Sequence, residues 1–251
     1  MGLKVTIADG IATLTLSNPP VNILTRAVLG ELRTEVQELA GHADVRVLLL
    51  GAEGKHFSAG ADVGEHLAPT YQDLIPEFVE TIRVLWECPI PIVAAVRGRC
   101  LGGGFEVVQP ADAVVAGENA MFGQPEILLG VLPPAACALL PHLAGAAGTA
   151  LVLSGDPISA ADARAMGLVT KVVADDTVDA EAAALAARMA RHSGAALRIT
   201  KQALRTGFHR PVPEALGEIQ RLYIDTLMHT RDANEGLEAF LAKRQPVWEH
   251  R

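Results

Sequence analysis

The sequence has few aromatic residues, only three cysteines and fewer positive than negative charges. Phe, Trp and Tyr supply 4% of the 251 residues while half are hydrophobic, so the interior must consist mainly of Ala, Val, Leu and Ile. A chain of this length can bury a large, closely packed core, which excludes disorder. Cys88, Cys100 and Cys137 lack any metal-ligand spacing, so we predict reduced core thiols, with a catalytic thiol as the alternative, and no metal site.

The charge balance excludes several kinds of partner. A formal net charge of −8 disfavours a general attraction to nucleic acid or to anionic membranes, but it leaves room for a local basic pocket that takes a phosphorylated ligand. No apolar run reaches the ~18 residues of a membrane span, and the N-terminus has no signal-peptide pattern. We therefore expect a small-molecule partner, no nucleic acid, no membrane and a cytoplasmic location.

Hydrophobic periodicity predicts alternating strands and helices up to about residue 173. Two strands joined at Asp9-Gly10, a hairpin turn signal, begin the chain. Pro76 is expected in the first turn of its helix, where a missing amide hydrogen is tolerated. Further strands are predicted at 45–50, 91–96, 113–116 and 169–173, and helices at 26–40, at 71–87 and from about residue 104.

After residue 173 the pattern is typical of helices alone. It predicts an α/β core over residues 1–193 and a C-terminal helical region over 194–251, which packs on the core or on another subunit. The predicted helices of the last part of the chain are 178–192, 194–207, 213–230 and 231–244.

Three consecutive glycines precede a carboxylate in "CLGGGFEVVQ", residues 100–109. Such a run is a poor way to continue a helix or strand, so it marks a tight turn whose amide groups are left uncovered. We expect a ligand to cover them.

Glu106, directly after the glycines, and Glu126, in "GQPEILLG", are carboxylates with apolar neighbours. Burial favours their neutral forms, and a nearby second carboxylate pushes two proton affinities apart, which makes an acid and a base. The alternatives are an exposed helix position for Glu106 and a favourable place at a helix start for Glu126.

A second glycine-containing loop, "HFSAGAD", follows a predicted buried strand at residues 56–62. Two loops that each present a backbone N–H can bind one developing oxyanion, such as that of a thioester enolate, without a metal. The alternative is two ordinary turns.

Four segments in this order, "HFSAGAD", "GRCLGGGFEVV", "FGQPEILLG" and "AFLAKRQPVW", resemble the crotonase (enoyl-CoA hydratase/isomerase) superfamily over nearly the whole chain. The resemblance implies an α/β fold, a crotonase-like spiral of ββα turns with a C-terminal helical trimerisation region. It also implies a homotrimer or a hexamer built as a dimer of trimers.

The same resemblance assigns roles to site residues. The oxyanion-hole amides fall on Ala61 and Gly103, where a helix start adds its favourable dipole end. Glu106 and Glu126 match the two carboxylates that hold a water in the family's hydratases, with Glu106 taking the water's proton and Glu126 delivering one to carbon. Isomerases of the family commonly keep only the second carboxylate, so the pair favours a hydro-lyase.

The resemblance also implies an acyl-CoA thioester substrate, with coenzyme A as part of that substrate and no other cofactor. In the family, coenzyme A is bound by the first loop and by the C-terminal tail, often of a neighbouring subunit. The matching residues here are Ser58, Ala59, Asp62, Val63, Phe240 and Lys243.

One segment departs from the family's pattern. Typical hydratases have a glycine-rich segment where this chain reads "LPPAACALLP", and Pro134 stands where an N–H helps to fix the water. This segment and "EGKHFSAGADVGEH" resemble the subgroup of cyclohexa-1,5-dienecarbonyl-CoA hydratases. The residues expected on the wall of a pocket for a compact ring are His66, Val131, Leu132, Pro134 and Ala135.

Three alternatives stay open at this point. The protein is a hydratase of a straight-chain 2-enoyl-CoA, or it is an isomerase, or it is a non-catalytic acyl-CoA-binding scaffold that has kept the fold. His66 has its own alternative, because a histidine just after a loop is typical of a surface or helix-cap position.

Overall fold

The computed structural model describes residues 2–251 apart from the side chain of His209, and strands alternate with helices up to residue 173. The strands are β1 (Gly2–Ala8), β2 (Ile11–Ser17), β3 (Val47–Ala52), β4 (Ile92–Val96), β5 (Arg99–Leu101), β6 (Ala113–Gly117), β7 (Met121–Gly123), β8 (Ile158–Ser159) and β9 (Lys171–Val173). The α-helices are α1 (Arg26–Gly41), α2 (Tyr71–Glu87), α3 (Gly103–Val108), α4 (Pro134–Ser154), α5 (Ala160–Ala165), α6 (Val178–Ala190), α7 (Gly194–His209), α8 (Val212–Arg221) and α9 (Arg231–Leu241). Short 3₁₀ helices cover Gly64–His66, Pro125–Leu129, Asp175–Thr177 and Leu227–His229, and Leu222–Thr226 forms a π-helical turn.

A six-stranded sheet in the order β1-β2-β3-β4-β6-β9 forms the centre of the fold. The hairpin β1–β2 is antiparallel, turning at Asp9 and Gly10 with positive φ, and every other pair in this sheet is parallel. The central strands β4 and β6 are buried along their whole length, as expected for parallel strands covered on both faces. The helix α6 packs on one face, and the larger apolar core lies on the other.

The chain winds around this core as a spiral. A strand of the main sheet, a short strand of the second sheet β5-β7-β8 and a helix follow one another, first as β4, β5, α3 and then as β6, β7, α4. This arrangement confirms the predicted α/β spiral of ββα turns. It also places the segments that follow parallel strands at the same edge of the sheet, which is where ligands bind in such folds.

Main-chain hydrogen bonds join the two glycine-containing loops at that edge. Ser58 forms a parallel bridge with Cys100, through bonds from Ser58 N to Arg99 O at 3.0 Å and from Leu101 N to Ser58 O at 3.1 Å. A second bridge pairs Leu24 with Ala61. The loop after β3 is therefore fixed directly beside the glycine run that starts α3.

The helix α4 differs from the expectation that no apolar run is long enough to span a membrane. It has 21 residues with a mean hydropathy of 1.7 over its most apolar stretch, and by length and composition alone it qualifies. At Gly145 the backbone leaves the helical region, with φ 56° and ψ −134°, so two shorter helices meet there at a kink. Of that most apolar stretch, 22% is buried within this chain.

The last part of the chain is helical, as predicted, and it packs on the core. Ser193 caps α7 by accepting a bond from Ala196 N, at the position of the predicted boundary between residues 1–193 and 194–251. That boundary stays a prediction, because no contact decides whether either part folds alone. The nearly buried ammonium group of Lys201 lies 2.7 Å from a carboxylate oxygen of Asp112 and 2.9 Å from Ile90 O, which fastens α7 to the sheet.

Two expectations about helices were wrong in detail. Pro76 lies in the second turn of α2, where Pro76 and Gln72 are both exposed, so water can bond to the carbonyl group that loses its helical donor. The helix predicted over 213–230 ends at Arg221 and continues as a π-helical and a 3₁₀ turn. Thr230 then caps α9 through Ala233 N, so the predicted division between 230 and 231 is confirmed.

Candidate active site

A cavity of about 340 Å³ opens at the carboxyl ends of the parallel strands. Its polar lining comes from Glu106, Glu126 and His66 together with main-chain groups of the two glycine-containing loops. The apolar lining comes from Val63, Leu67, Leu74, Ile75, Phe78, Leu129, Val131, Leu132 and Pro134. The structure therefore brings both predicted carboxylates and both predicted amide positions to one cavity.

Glu106 is buried, with 2% of its surface exposed, so the alternative of an exposed helix position is wrong. Its Oε1 atom accepts hydrogen bonds from Ala135 N at 2.7 Å and from Ala136 N at 2.9 Å, the first free amides of α4 after Pro134. The start of α4 thus holds one oxygen of this carboxyl group in a fixed position.

Burial raises the pKa of the Glu106 carboxyl to about 8. The negative charge of Glu126 acts in the same direction, whereas the N–H groups of Ala136 and Ala135 stabilise the charged form and lower the pKa. Near neutral pH this carboxyl group therefore lies within reach of both protonation states, as a group that takes and returns a proton must.

Glu126 lies in the first turn of the 3₁₀ helix Pro125–Leu129, so the helix-start position is real, and its side chain also lines the cavity. The Oε2 atom is buried and has no hydrogen-bond partner within residues 2–251. Burial raises the pKa of this carboxyl group, and the charge of His66 opposes that shift. Glu126 is thus a half-buried acid in the cavity lining whose Oε2 atom has no partner in the described part of the protein.

Only glycine fits at position 102, because of its backbone conformation and because of the nearby Glu126 carboxylate. The backbone of Gly102 has φ 51° and ψ −131°, a conformation that residues other than glycine rarely adopt. A Cβ atom at this position would lie 2.6 Å from Glu126 Oε1. The first glycine of the run therefore allows both the turn into α3 and the close approach of Glu126.

The N–H groups of Ala61 and Gly103 have no acceptor among the described residues, and both residues line the cavity. The amides of the adjoining Asp62 and Gly102 are used internally, since Asp62 N binds Leu24 O and Gly102 N binds Gly123 O. A Cβ atom at Gly103 would lie 3.2 Å from Ala61 N, so the two loops touch here. Two adjacent, unpaired donors of this kind suit an oxygen that gains negative charge.

His66 lies at the end of the 3₁₀ helix Gly64–His66, as in the helix-cap alternative, and is half-buried in the cavity wall, as expected for a pocket residue. Its Nδ1 atom is 2.7 Å from the carbonyl oxygen of Asp62. Of the other expected wall residues, Val131, Leu132 and Pro134 line the cavity. Ala135 lies behind the wall, where its amide binds Glu106.

The predicted contact between Ser58 and coenzyme A needs correction. Ser58 is fully buried, and its hydroxyl group donates to Asn22 O at 2.7 Å and accepts from Gly60 N at 3.1 Å. Its main-chain groups are bonded to the segment around Cys100. All polar groups of Ser58 are thus used inside the protein, so this residue positions the loop.

The remaining residues predicted to bind coenzyme A fall into two groups. Ala59 and Val63 line the cavity, and Asp62 lies between them, with Oδ1 accepting from Glu65 N. Phe240 and Lys243 lie at the end of α9, exposed and outside the cavity lining of this chain. A single chain therefore does not bring the two groups together.

Sequence reasoning missed two features of the site. Phe78 shares the cavity wall and would contact a Cβ atom at Gly103 at 3.0 Å, but its helical spacing indicated only a core residue. The amides of Ala135 and Ala136 hold Glu106, and the one signal for them was Pro134, which marks a helix start.

A family model described as "Enoyl-CoA hydratase/isomerase" matches residues 6–251. Two curated relatives agree. A cyclohexa-1,5-dienecarbonyl-CoA hydratase of Thauera aromatica is 39% identical over 97% of this chain and 95% of its own length. A 2,3-dehydroadipyl-CoA hydratase of Escherichia coli K12 is 37% identical, with 96% of each chain covered.

Solved structures give the same match in three dimensions. The enoyl-CoA hydratase of Bacillus anthracis superimposes with a TM-score of 0.95 at 29% identity, with 100% of both chains covered. An enoyl-CoA hydratase subunit I of Geobacillus kaustophilus HTA426 gives a TM-score of 0.93 at 31% identity, with 100% of this chain and 99% of that chain covered.

Proposed function

Because the chain belongs to the enoyl-CoA hydratase/isomerase family and is an enzyme of the hydro-lyase type, we propose that it adds water to cyclohexa-1,5-diene-1-carbonyl-CoA. The observation that carries the proposal is a single cavity lined by the buried carboxyl group of Glu106, the half-buried carboxyl group of Glu126 and two unpaired main-chain amides. These are the groups that hydration of a double bond conjugated to a thioester requires.

In this reaction the amides of Ala61 and Gly103 bind the thioester oxygen and stabilise the enolate that forms there. Glu106 takes a proton from water, whose oxygen bonds to carbon, and Glu126 delivers a proton to the carbon atom that ends the addition. The bonds from Ala135 and Ala136 leave the second oxygen of Glu106 for the water.

The composition of the cavity wall supports the proposal of a ring-shaped acyl group. The aliphatic side chains of Val131 and Leu132, the ring of Pro134 and the aromatic ring of Phe78 leave about 340 Å³ with few polar groups, which suits a compact apolar ring. The relative from Thauera aromatica, at 39% identity, carries the name of this activity.

Steady-state assays with the cyclic dienoyl thioester and a straight-chain 2-enoyl thioester test the substrate. We expect kcat/KM for the ring to exceed that for the straight chain on the order of 10-fold or more, because the difference comes from apolar contacts. A preference for the straight chain, or a shift of the double bond without hydration, contradicts the proposed substrate. Tight binding of both thioesters with no turnover instead identifies a scaffold.

Self-association completes the proposal, with coenzyme A bound between subunits of a homotrimer or hexamer. Large apolar side chains are exposed on α8 and α9, including Phe240 at 82% and Leu241 at 81%. Isolated chains rarely expose such a surface without a partner. Lys243, beside it, supplies a positive charge for a phosphate group of a neighbour's substrate.

The raised pKa of Glu106 predicts the pH dependence of hydration. A base must be ionised, and burial raises this pKa to about 8, so the acid limb of kcat/KM should have its midpoint near pH 8. Initial rates between pH 6 and 10 at low substrate concentration measure this acid limb. A kcat/KM that stays constant between pH 6 and 8 would contradict Glu106 as a base with this raised pKa.

A further inference from the structure

The direction of the Ala61 amide is set by a hydrogen bond on the other side of its peptide unit. The carbonyl group of Gly60 and the N–H group of Ala61 belong to one planar trans peptide, so they point in opposite directions. Gly60 O accepts a bond from Leu24 N at 3.0 Å. Because this bond turns the carbonyl group toward Leu24, the N–H group of Ala61 points away from Leu24 and stays free for the cavity that Ala61 lines.

The supporting segment, residues 21–24, holds the loop on both sides of this peptide. Ala59 N donates to Val21 O at 2.9 Å. Asp62 N donates to Leu24 O at 3.0 Å. The loop that carries the oxyanion donor is therefore held by another part of the chain, and the position of the donor depends on where the supporting segment lies.

Asn22 lies inside the supporting segment and is 2% exposed. Its Oδ1 atom accepts a bond from Asn18 N at 2.9 Å. Its Nδ2 atom donates to Glu53 O and to His56 O, both at 2.9 Å, in the loop after β3. The side chain thus uses both of its amide hydrogens to join the supporting segment to that loop, while a φ of 52°, which asparagine tolerates, completes the turn.

The main chain of Asn22 continues this connection toward the donor. Asn22 O accepts from the hydroxyl group of Ser58 at 2.7 Å, and the same hydroxyl oxygen accepts from Gly60 N at 3.1 Å. These bonds end one residue before Ala61. Asn22 itself lies outside the cavity lining, so any effect that it has on a bound thioester acts through the loop.

We propose that Asn22 is a positioning residue of the oxyanion site, whose side chain holds the supporting segment so that the Ala61 amide points at the thioester oxygen. This inference rests on the proposed function, in which that amide stabilises the enolate. A donor held in one direction stabilises the charged transition state more than the neutral thioester. Loss of the Asn22 side chain therefore slows the chemical step more than it weakens binding.

Two substitutions of Asn22 test the proposal. Asn22→Gly tolerates the positive φ but removes the whole side chain. Asn22→Asp keeps an oxygen for Asn18 N, but its carboxylate has no hydrogen to donate to Glu53 O or His56 O. We expect each to lower kcat about 10–100-fold, as small displacements of a catalytic group do, with KM changed by less than about 2-fold.

A matched control and a second way to break the connection accompany these variants. Asn119 also donates through its side-chain amide, to Asp175 Oδ2 at 2.9 Å, but in an exposed turn outside the cavity lining, so Asn119→Ala should keep the wild-type kcat. Ser58→Ala removes the hydroxyl group between Asn22 O and Gly60 N and should show the same loss of kcat. Circular dichroism identifies any variant that does not fold, and Ser58→Ala decides the question if neither Asn22 variant folds.

Infrared difference spectra of bound benzoyl-CoA, labelled with ¹³C at the thioester carbonyl, report on the oxyanion site without turnover, because an aromatic ring resists hydration. Hydrogen bonds from the amides lower the C=O stretching frequency, and we expect a smaller decrease in the Asn22 variants than in the wild type and Asn119→Ala. An equal decrease in all folded variants, or a loss confined to KM, overturns the proposal. If the wild type lowers this frequency but hydrates no thioester, the proposed function fails, while the comparison of frequencies still decides the role of Asn22.

Discussion

Glu126→Gln and Glu106→Gln should each lower kcat by about 10²–10⁴-fold while the protein stays folded. The amide keeps the shape of the side chain but cannot transfer a proton at neutral pH. In Glu106→Gln, the side-chain carbonyl oxygen can still accept the hydrogen bonds from Ala135 N and Ala136 N. The loss therefore falls on the chemical step and leaves binding of the thioester largely intact.

Stability should not explain this loss. The folded-state pKa of Glu106 lies above its ordinary value, so its neutral form is favoured by folding, and that contribution is lost as pH rises through about 8. A neutral glutamine thus costs little at pH 7. Single-turnover rates together with thermal unfolding of both variants check this, with the exposed Glu118→Gln as the control. Wild-type rates in both cavity variants would exclude the proposed mechanism.

Local sequence signals predicted most of the fold because each rests on short-range physics. The hairpin at Asp9-Gly10 and the bounds of α2 follow from turn chemistry and from one apolar face. The position of Pro76 was wrong because tolerance of a proline depends on whether the freed carbonyl group meets water, which only the packed helix decides. The end of α8 at Arg221, where a π-helical turn begins, likewise depends on tertiary structure.

The sequence predicted the two carboxylates and the two glycine-containing loops of the site, but it did not predict the hydrogen bonds that hold these loops in place. Glu106 and Glu126 stand out because carboxylates among apolar residues need a reason to be buried. Ser58 has the sequence context of a ligand-binding loop, yet its hydroxyl group bonds to Asn22 O and Gly60 N. Such partners come from distant parts of the chain, so no local pattern indicates them.

The spiral explains why the proposed oxyanion site consists of main-chain groups rather than cationic side chains. Parallel strands end at one edge, so the loop after β3 and the start of α3 meet there, and main-chain bonds among residues 2–251 engage the amides of Asp62 and Gly102 but not those of Ala61 and Gly103. A donor held by sheet hydrogen bonds needs no reorganisation when charge develops. The backbone of Gly103 has no positive φ, so it is the space beside Ala61 and Phe78, and not the backbone conformation, that favours glycine there.

Gly103→Ala should therefore lower kcat/KM by about 10²-fold or more, because the added methyl group keeps the oxygen away from the amides, with an effect similar to the loss of one oxyanion donor. The added methyl group would lie 3.2 Å from Ala61 N and 3.0 Å from Phe78 Cε2, beside the amides proposed to bind the thioester oxygen. Gly51→Ala is the matched control, since its methyl group would meet only Ala95 Cβ, at 4.0 Å. Kinetics and circular dichroism of both variants measure the difference. If Gly103→Ala keeps its fold and nearly full kcat/KM, the oxygen binds elsewhere, because no thioester oxygen can share that space with a methyl group.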